Sequence, residues 1–213
     1  MKRWRILLAD DHDIVVEGLR RVLDEPDFEI VGVVHDGRAL IRAAEELQPD
    51  AIVADVTMPL LNGMDAARQI RQKNPDAKIV FLTMHPDVTF ATEALAAGAL
   101  GYVLKSSAGS SLAAAVREAL DGRIYISETI AGEVARSLSA RTYSGRDPRD
   151  SMTARQREVL QLLAEGRHVK EIALKLNLSP RTVEFHKYRI MAQLGVRTVA
   201  DLVRYATRHG IVT

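Results

Sequence analysis

The stretch Ile6-Leu7-Leu8-Ala9-Asp10-Asp11 runs four apolar residues into two adjacent carboxylates. The design returns three times. Ala51-Ile52-Val53-Ala54 ends on Asp55, Ile79-Val80-Phe81-Leu82 on Thr83, and Tyr102-Val103-Leu104 on Lys105. Short apolar runs of this kind read as strands. Four parallel strands would deliver all five polar residues to one edge of a sheet, the carboxyl edge at which open α/β sheets bind ligands. Three carboxylates, a hydroxyl and an ammonium together suit a divalent cation and a phosphoryl group.

Outward from these runs the period changes. Strand candidates Ile6–Ala9, Phe28–Val34, Ala51–Ala54, Ile79–Thr83 and Gly101–Leu104 alternate with helical patterns over Ile14–Leu23, Ala39–Leu47, Met64–Lys73, Val88–Ala97 and Ser110–Leu120. In the second of these, Leu40, Ala43, Ala44 and Leu47 form one helical stripe. Pro26, Pro49, Pro75 and Pro86 fall in connections, where a missing N–H costs least. Five βα units predict an α/β fold, a doubly wound five-stranded parallel sheet, over residues 1–121.

Residues 122–150 read as a linker with a short helix, opened by Ser127-Glu128 and carrying Ile130, Val134 and Leu138 on one face. Ser139–Asp150, charged and almost without apolar residues, is expected to be mobile. Residues 151–213 predict a small all-α domain of four helices. Thr153 precedes Gln156 at capping-box spacing, and that helix stops near Gly166. Val169–Leu176 forms the second, and Ser179-Pro180 opens the third, which ends before Gly195. The fourth runs from Thr198 to His209. The second helix, the turn Asn177-Leu178-Ser179 and the third helix fit a helix-turn-helix.

The 213 residues suit one large or two small domains, and 47% apolar content supports ordinary cores. No cysteine is present, which excludes disulfides and thiolate zinc sites. The basic start Met1-Lys2-Arg3-Trp4-Arg5 is followed by too few apolar residues for a signal-peptide core. The longest apolar stretch, Ala94–Leu104, is far below the roughly 20 residues of a membrane span. A cytoplasmic protein with no membrane partner is expected. The net charge of +1 hides an asymmetry: residues 1–121 hold 13 Lys and Arg against 19 Asp and Glu, residues 151–213 hold 11 against 5. An acidic front suits a cation, and a basic back suits a polyanion or a solvated surface.

Magnesium commonly takes one or two carboxylates with phosphate and water. Asp11 and Asp55 are candidate direct ligands, with Asp10 holding a bound water. Bound magnesium would relieve repulsion among three close carboxylates and screen them from an incoming phosphodonor. A carboxylate can then attack phosphorus to form an acyl phosphate. Lys105 would compensate the phosphoryl charge and the Thr83 hydroxyl would donate to one of its oxygens. Singly these residues are ordinary, since Asp-Asp after a strand is often a helix cap and a terminal Lys or Thr is often surface. Their joint placement on successive strands carries the reading.

Asp10-Asp11, Asp55 followed by Met58-Pro59 and Gly63, Thr83, and Tyr102 three before Lys105 resemble the receiver domain of two-component response regulators. The resemblance implies that Asp55 accepts a phosphoryl group from a sensor histidine kinase's phosphohistidine. It implies a magnesium site of Asp10, Asp11, Asp55 and the main-chain carbonyl of Thr57. Thr83 and Tyr102 would be the switch pair, the hydroxyl moving toward phosphate as the ring turns inward. Two departures stand out. Ser106 occupies the place of the family's usual proline, so a trans bond and a shifted Lys105 are expected. Met84 replaces a small residue and is expected to narrow the site, while His85 lies where the family tunes phosphoryl lifetime.

On the third helix Val183, His186, Ile190 and Leu194 share an inward face. Opposite lie Arg181, Phe185, Tyr188 and Ala192, flanked by Thr182, Glu184 and Arg189. Exposed aromatics between cations suit a helix in the major groove, with apolar contact to thymine methyls and polar contact to base edges. Arg181, Arg189, Lys187, Thr182 and Lys170 would serve phosphates, and Glu184 would accept from a cytosine amino group or pair with Lys187 or Arg181. Thr153–Gly166, Lys170-Glu171-Ile172-Ala173, Ser179-x-x-Thr182-Val183-x-x-His186 and Leu194-Gly195-Val196 resemble the LuxR-type helix-turn-helix. With a receiver, this points to the NarL/FixJ family of transcription regulators and to double-stranded DNA as partner. Glu184 and His168-Val169 depart from the family's usual residues. In the family the fourth helix forms the contact of the DNA-bound homodimer, with Val199, Leu202 and Val203 the candidates here.

The leading expectation is a DNA-binding regulator switched by phosphorylation of Asp55, acting by release of the third helix or by receiver pairing. It would not be an enzyme, its receiver catalysing only its own phosphorylation and dephosphorylation. An aspartyl phosphatase would need a second Asp two residues after the nucleophile, and Thr57 stands there. The alternative is a phosphorylation-independent, receiver-containing regulator controlled by protein contacts.

Overall fold

The computed structural model describes residues 3–84, 86–140 and 152–212. Strands β1 (Trp4–Ala9), β2 (Phe28–Val34), β3 (Ala51–Asp55), β4 (Ile79–Thr83), β5 (Gly101–Leu104) and β6 (Tyr125–Ile126) form one parallel sheet in the order β2-β1-β3-β4-β5-β6. Helices α1 (Asp13–Val22) and α5 (Ala108–Leu120) cover one face, where Ile6, Leu8, Val80 and Leu82 meet Leu19, Leu112 and Val116. Helices α2 (Gly37–Leu47), α3 (Gly63–Lys73), α4 (Val88–Ala96) and α6 (Glu128–Ala140) cover the other, where Leu7, Ile52 and Phe81 meet Leu40, Ile70, Ala91 and Val134. Fully burying a leucine or phenylalanine of these layers contributes about 1.5–3 kcal/mol.

Five strands were expected, and the described residues hold six. The sixth lies in the segment read as linker, where Tyr125 and Ile126 pair with Gly101 and Tyr102. Two residues are too few to register as a pattern, and Gly122, at φ 77°, turns the chain back after α5. Helix α6 forms where Ser127-Glu128 predicted it, with Ile130 and Val134 buried and Leu138 exposed. Of the segment Ser139–Asp150 expected to be mobile, Ser139 and Ala140 instead continue α6, and the remainder, 141–150, lies outside the described residues, as does His85.

Helices α7 (Ala154–Ala164), α8 (Val169–Leu176), α9 (Pro180–Leu194) and α10 (Val199–Arg208) close a second core around Val159, Leu163, Ile172, Val183, Ile190 and Leu202. The predicted capping box is present: Thr153 Oγ1 accepts from Gln156 N, and Gln156 Oε1 from Thr153 N. Ser179 caps α9 through Thr182 N, with Pro180 at the first helical position, and Asn177 takes the left-handed conformation in the turn before it. Among the described residues no helix is long and apolar enough to cross a membrane.

Helix α7 seats on the loop between β3 and α3. Gln161, almost fully buried, accepts from Asn62 N at 2.6 Å and donates to the Met58 carbonyl at 2.8 Å. Leu60, at φ 67°, donates its N–H to Glu165 and packs on the helical core. Left-handed backbone costs a non-glycine residue roughly 1–2 kcal/mol, so this loop is held by its contacts. Charge pairs Asp65–Arg157 (2.6 Å) and Arg38–Glu158 (3.0 Å) flank it.

Candidate functional site

From β1 the chain crosses to β2 on one side and then to β3 on the other, so β1 and β3 flank the reversal point of the sheet. A ligand crevice opens at such a point. The register Ala9↔Ala54 brings the next residues, Asp10 and Asp55, side by side. Lys105 reaches both from the end of β5, its Nζ 2.6 Å from Asp55 Oδ2 and 2.7 Å from Asp10 Oδ2. Asp55 Oδ1 accepts from Thr57 N at 3.2 Å. Gly63 lets α3 start against the Asp55 carbonyl, since a Cβ there would stand 2.0 Å from that oxygen.

Burial pushes the Asp55 carboxyl above the usual carboxylate range, against the hydrogen bond from Lys105. Burial pulls the Lys105 ammonium down, but its bonds to Asp10 and Asp55 outweigh this and its pKa is raised. One cation thus sits between two buried acids. Asp10 Oδ2 has Lys105 as a charge partner but no hydrogen-bond donor in line. Asp10, Asp11, His12 and Asp55 each offer one ligand atom, all within 4.8 Å of one another. This mostly oxygen set, with an underserved buried carboxylate oxygen, fits a hard divalent cation. His12 was not singled out in the sequence. Its Nδ1 lies 2.9 Å from Asp11 Oδ1, and its place directly after the acid pair was the available signal.

Thr83 and Tyr102 are both buried and hydrogen-bonded to each other, so the ring already points inward. Burial holds the Tyr102 phenol protonated, its pKa raised well above the ordinary value. The expected trans bond after Lys105 is present, since no described peptide bond is cis. Lys105–Ser107 forms a single 3-10 turn, and the Lys105 ammonium lies on both acids. Met84, after Thr83, is 71% exposed.

On α9, Val183 and Ile190 are buried, Leu194 packs on the same core and His186 lies at its rim. Burial, with the nearby Arg155 and Arg189, lowers the His186 pKa. Phe185 and Tyr188 are 56% and 65% exposed, each under a cation: Arg189 over Phe185 at 5.6 Å, Lys187 over Tyr188 at 5.0 Å. Lys170, Arg181 and Arg189 are exposed, Thr182 and Lys187 half-buried, and Glu184 pairs with Lys187 at 2.5 Å. On α10, Leu202 is fully buried in the helical core and cannot present a surface. Its amphipathic stripe was legible, but which members lie deepest was not. Val199 is exposed and Val203 half-buried.

The doubly wound sheet with acids and a lysine at its reversal point, joined to a helix-turn-helix, defines a signal-receiving regulator with a nucleic-acid-binding module. The family described as response regulator receiver domain matches residues 6–117, and that of bacterial regulatory proteins of the luxR family matches 150–206. The chain is 34% identical to the response regulator GacA of Pseudomonas aeruginosa, over 98% of this chain and 97% of that one. It is 37% identical to the transcriptional regulatory protein LiaR of Bacillus subtilis, over 98% and 99%. Among solved structures, RcsB of Salmonella typhimurium matches with a TM-score of 0.65 at 29% identity, covering 98% of each chain. An RcsB–DNA complex matches at 30% identity and TM-score 0.58, over 97% and 98%. The chain belongs to the NarL/FixJ family of two-component response regulators, whose members join a receiver to a LuxR-type DNA-binding domain.

Proposed function

We propose that this chain is a cytoplasmic transcription regulator switched by phosphorylation of Asp55, with a receiver over 1–121, a connecting segment over 122–150 and a DNA-binding domain over 151–213. A sensor histidine kinase is the donor. The N–P bond of its phosphohistidine breaks as a bond forms between phosphorus and an Asp55 carboxylate oxygen, and the freed imidazole stays with the kinase. Asp10, Asp11, Asp55 and the Thr57 carbonyl would hold magnesium, which supplies charge neutralisation at the phosphoryl oxygens. Lys105 is already placed to follow the negative charge from the carboxylate onto the phosphoryl group. Thr83 would donate to a phosphoryl oxygen, with Tyr102 behind it. The observation that carries this reading is the Lys105 ammonium shared between Asp55 and Asp10.

The output is DNA binding by α9. Phe185 and Tyr188 would meet thymine methyls and Glu184 a base edge, while Lys170, Arg181, Thr182, Lys187 and Arg189 serve phosphates. Val199 and Val203 would join two copies on a palindromic site. The test treats protein with magnesium and phosphoramidate, follows the adduct by intact mass, and titrates DNA carrying two half-sites selected from a random pool. The wild type should gain one phosphoryl group and bind more tightly, and Asp55→Asn should do neither. Equal affinity in every case would sink the switch. One observation favours a second reading, a regulator controlled by protein contacts alone: Ser106 stands where the family usually has proline. That reading requires that the wild type form no adduct.

A further inference from the structure

Helix α5 and the family match both end before residue 121, yet the sheet edge nearest Lys105 is finished by a residue beyond them. Ser127, between β6 and α6, is almost fully buried. Its Oγ accepts from Leu104 N at 3.0 Å, the last strand N–H before Lys105. Its own N–H donates to the Tyr102 carbonyl at 3.0 Å. Ser107 Oγ, which donates to the Leu104 carbonyl at 3.1 Å, lies 3.4 Å from Ser127 Oγ. Leu104 is therefore gripped at both its N–H and its carbonyl, and Lys105 starts the 3-10 turn directly after it. No proline ring stiffens that turn, since Ser106 follows Lys105.

We propose that Ser127 is a positioning residue for phosphoryl transfer, holding Leu104 so that the Lys105 ammonium stays on Asp10 and Asp55. β6 pairs with β5 only at Gly101 and Tyr102, so Leu104 N draws nothing from that ladder. A buried N–H left without a partner is costly enough to move the backbone that carries it. Lys105 is the next residue, and a displacement there swings its ammonium away from the acids. Ser127 also opens α6, whose Ile130 and Val134 pack in the same core as Tyr102. The segment leading toward the helix-turn-helix therefore touches both the lysine turn and the switch aromatic. The inference rests on the phosphorylation reading above.

The test compares full-length wild type, Ser127→Ala and Ser127→Thr. Adduct formation with phosphoramidate is followed by intact mass across donor concentrations, and magnesium affinity by calorimetry. Ser127→Ala should slow the transfer step about tenfold, the worth of one good hydrogen bond. Donor saturation should not change and magnesium affinity should not fall, because Asp10, Asp11, Asp55 and Thr57 are carried by the ends of β1 and β3, and an ammonium drawn away from Asp10 and Asp55 leaves both free to ligate. Ser127→Thr, which keeps the oxygen, should restore most of the rate. An unchanged rate in Ser127→Ala, or a rate and metal affinity that fall together, overturns the proposal. If Ser127→Ala does not fold, Ser127→Cys, similar in shape but a weak acceptor, replaces it. If the wild type itself takes no phosphoryl group, the reading above fails. A double-mutant cycle of Ser127→Ala with Lys105→Met then decides the positioning: coupled unfolding free energies support it and additive ones overturn it.

Discussion

Asp55 and Lys105 place opposed demands on the folded chain. The Asp55 pKa is raised in the fold, mainly by burial. Its acid form therefore favours folding, a contribution full below the unfolded carboxylate's pKa and lost as pH rises through the folded one. At neutral pH the ionised acid costs stability, and Asp55→Asn should raise the melting temperature. That gain should disappear below about pH 4, where the carboxyl is protonated in both states. Lys105→Met should do the reverse, leaving two buried acids uncompensated and costing about 3–5 kcal/mol near pH 7, less toward acid. Urea unfolding at several pH values checks both signs, and a Lys105→Met chain indifferent to pH would contradict them. These residues were legible because each stands at the end of a short apolar run. Gln161 and the site role of Ser127 were not, because their partners lie in the other domain or on β5 and no local period marks them, while His12 was marked only by standing directly after the acid pair.

At the scale of elements, apolar periodicity predicted every α-helix and five of the six strands among the described residues, with ends moved by at most one or two residues. Such shifts are the ordinary fraying of helix ends. The missed strand owes its place to pairing with β5 rather than to its own residues. Two glycines show how packing, not propensity, sets helix junctions. Gly63→Ala would drive a Cβ into the Asp55 carbonyl, so α3 must lift from β3. It should destabilise by more than about 1 kcal/mol and weaken metal binding with it. Gly109, in α5, faces open space where a Cβ would stand, with no atom within 4 Å, so Gly109→Ala should stabilise by about 0.5–1 kcal/mol. Denaturation midpoints of the two variants should move in opposite directions.

Across the whole molecule the two domains meet through the loop that carries Thr57 and Met58, the loop where a metal ligand is proposed. Gln161 ties α7 to that loop at both the Met58 carbonyl and Asn62 N. Gln161→Ala should leave two buried backbone groups unpaired and loosen the docking. X-ray scattering should then give a larger radius of gyration for the variant than for the wild type. Added salt should widen both chains by weakening the Asp65–Arg157 and Arg38–Glu158 pairs. A variant as compact as the wild type at every ionic strength would show that the loop does not hold the domains together.

The exposed aromatics of α9 carry a consequence for regulation. Under the proposed switch, a reading head that faces open solvent needs no unmasking, which favours control through the alignment of two heads. A short duplex with a single recognition element should bind resting and phosphorylated protein equally well, in fluorescence anisotropy at matched ionic strength. Discrimination should emerge only when a second element is added at the proper helical spacing, and should fade when that spacing is shifted by half a turn.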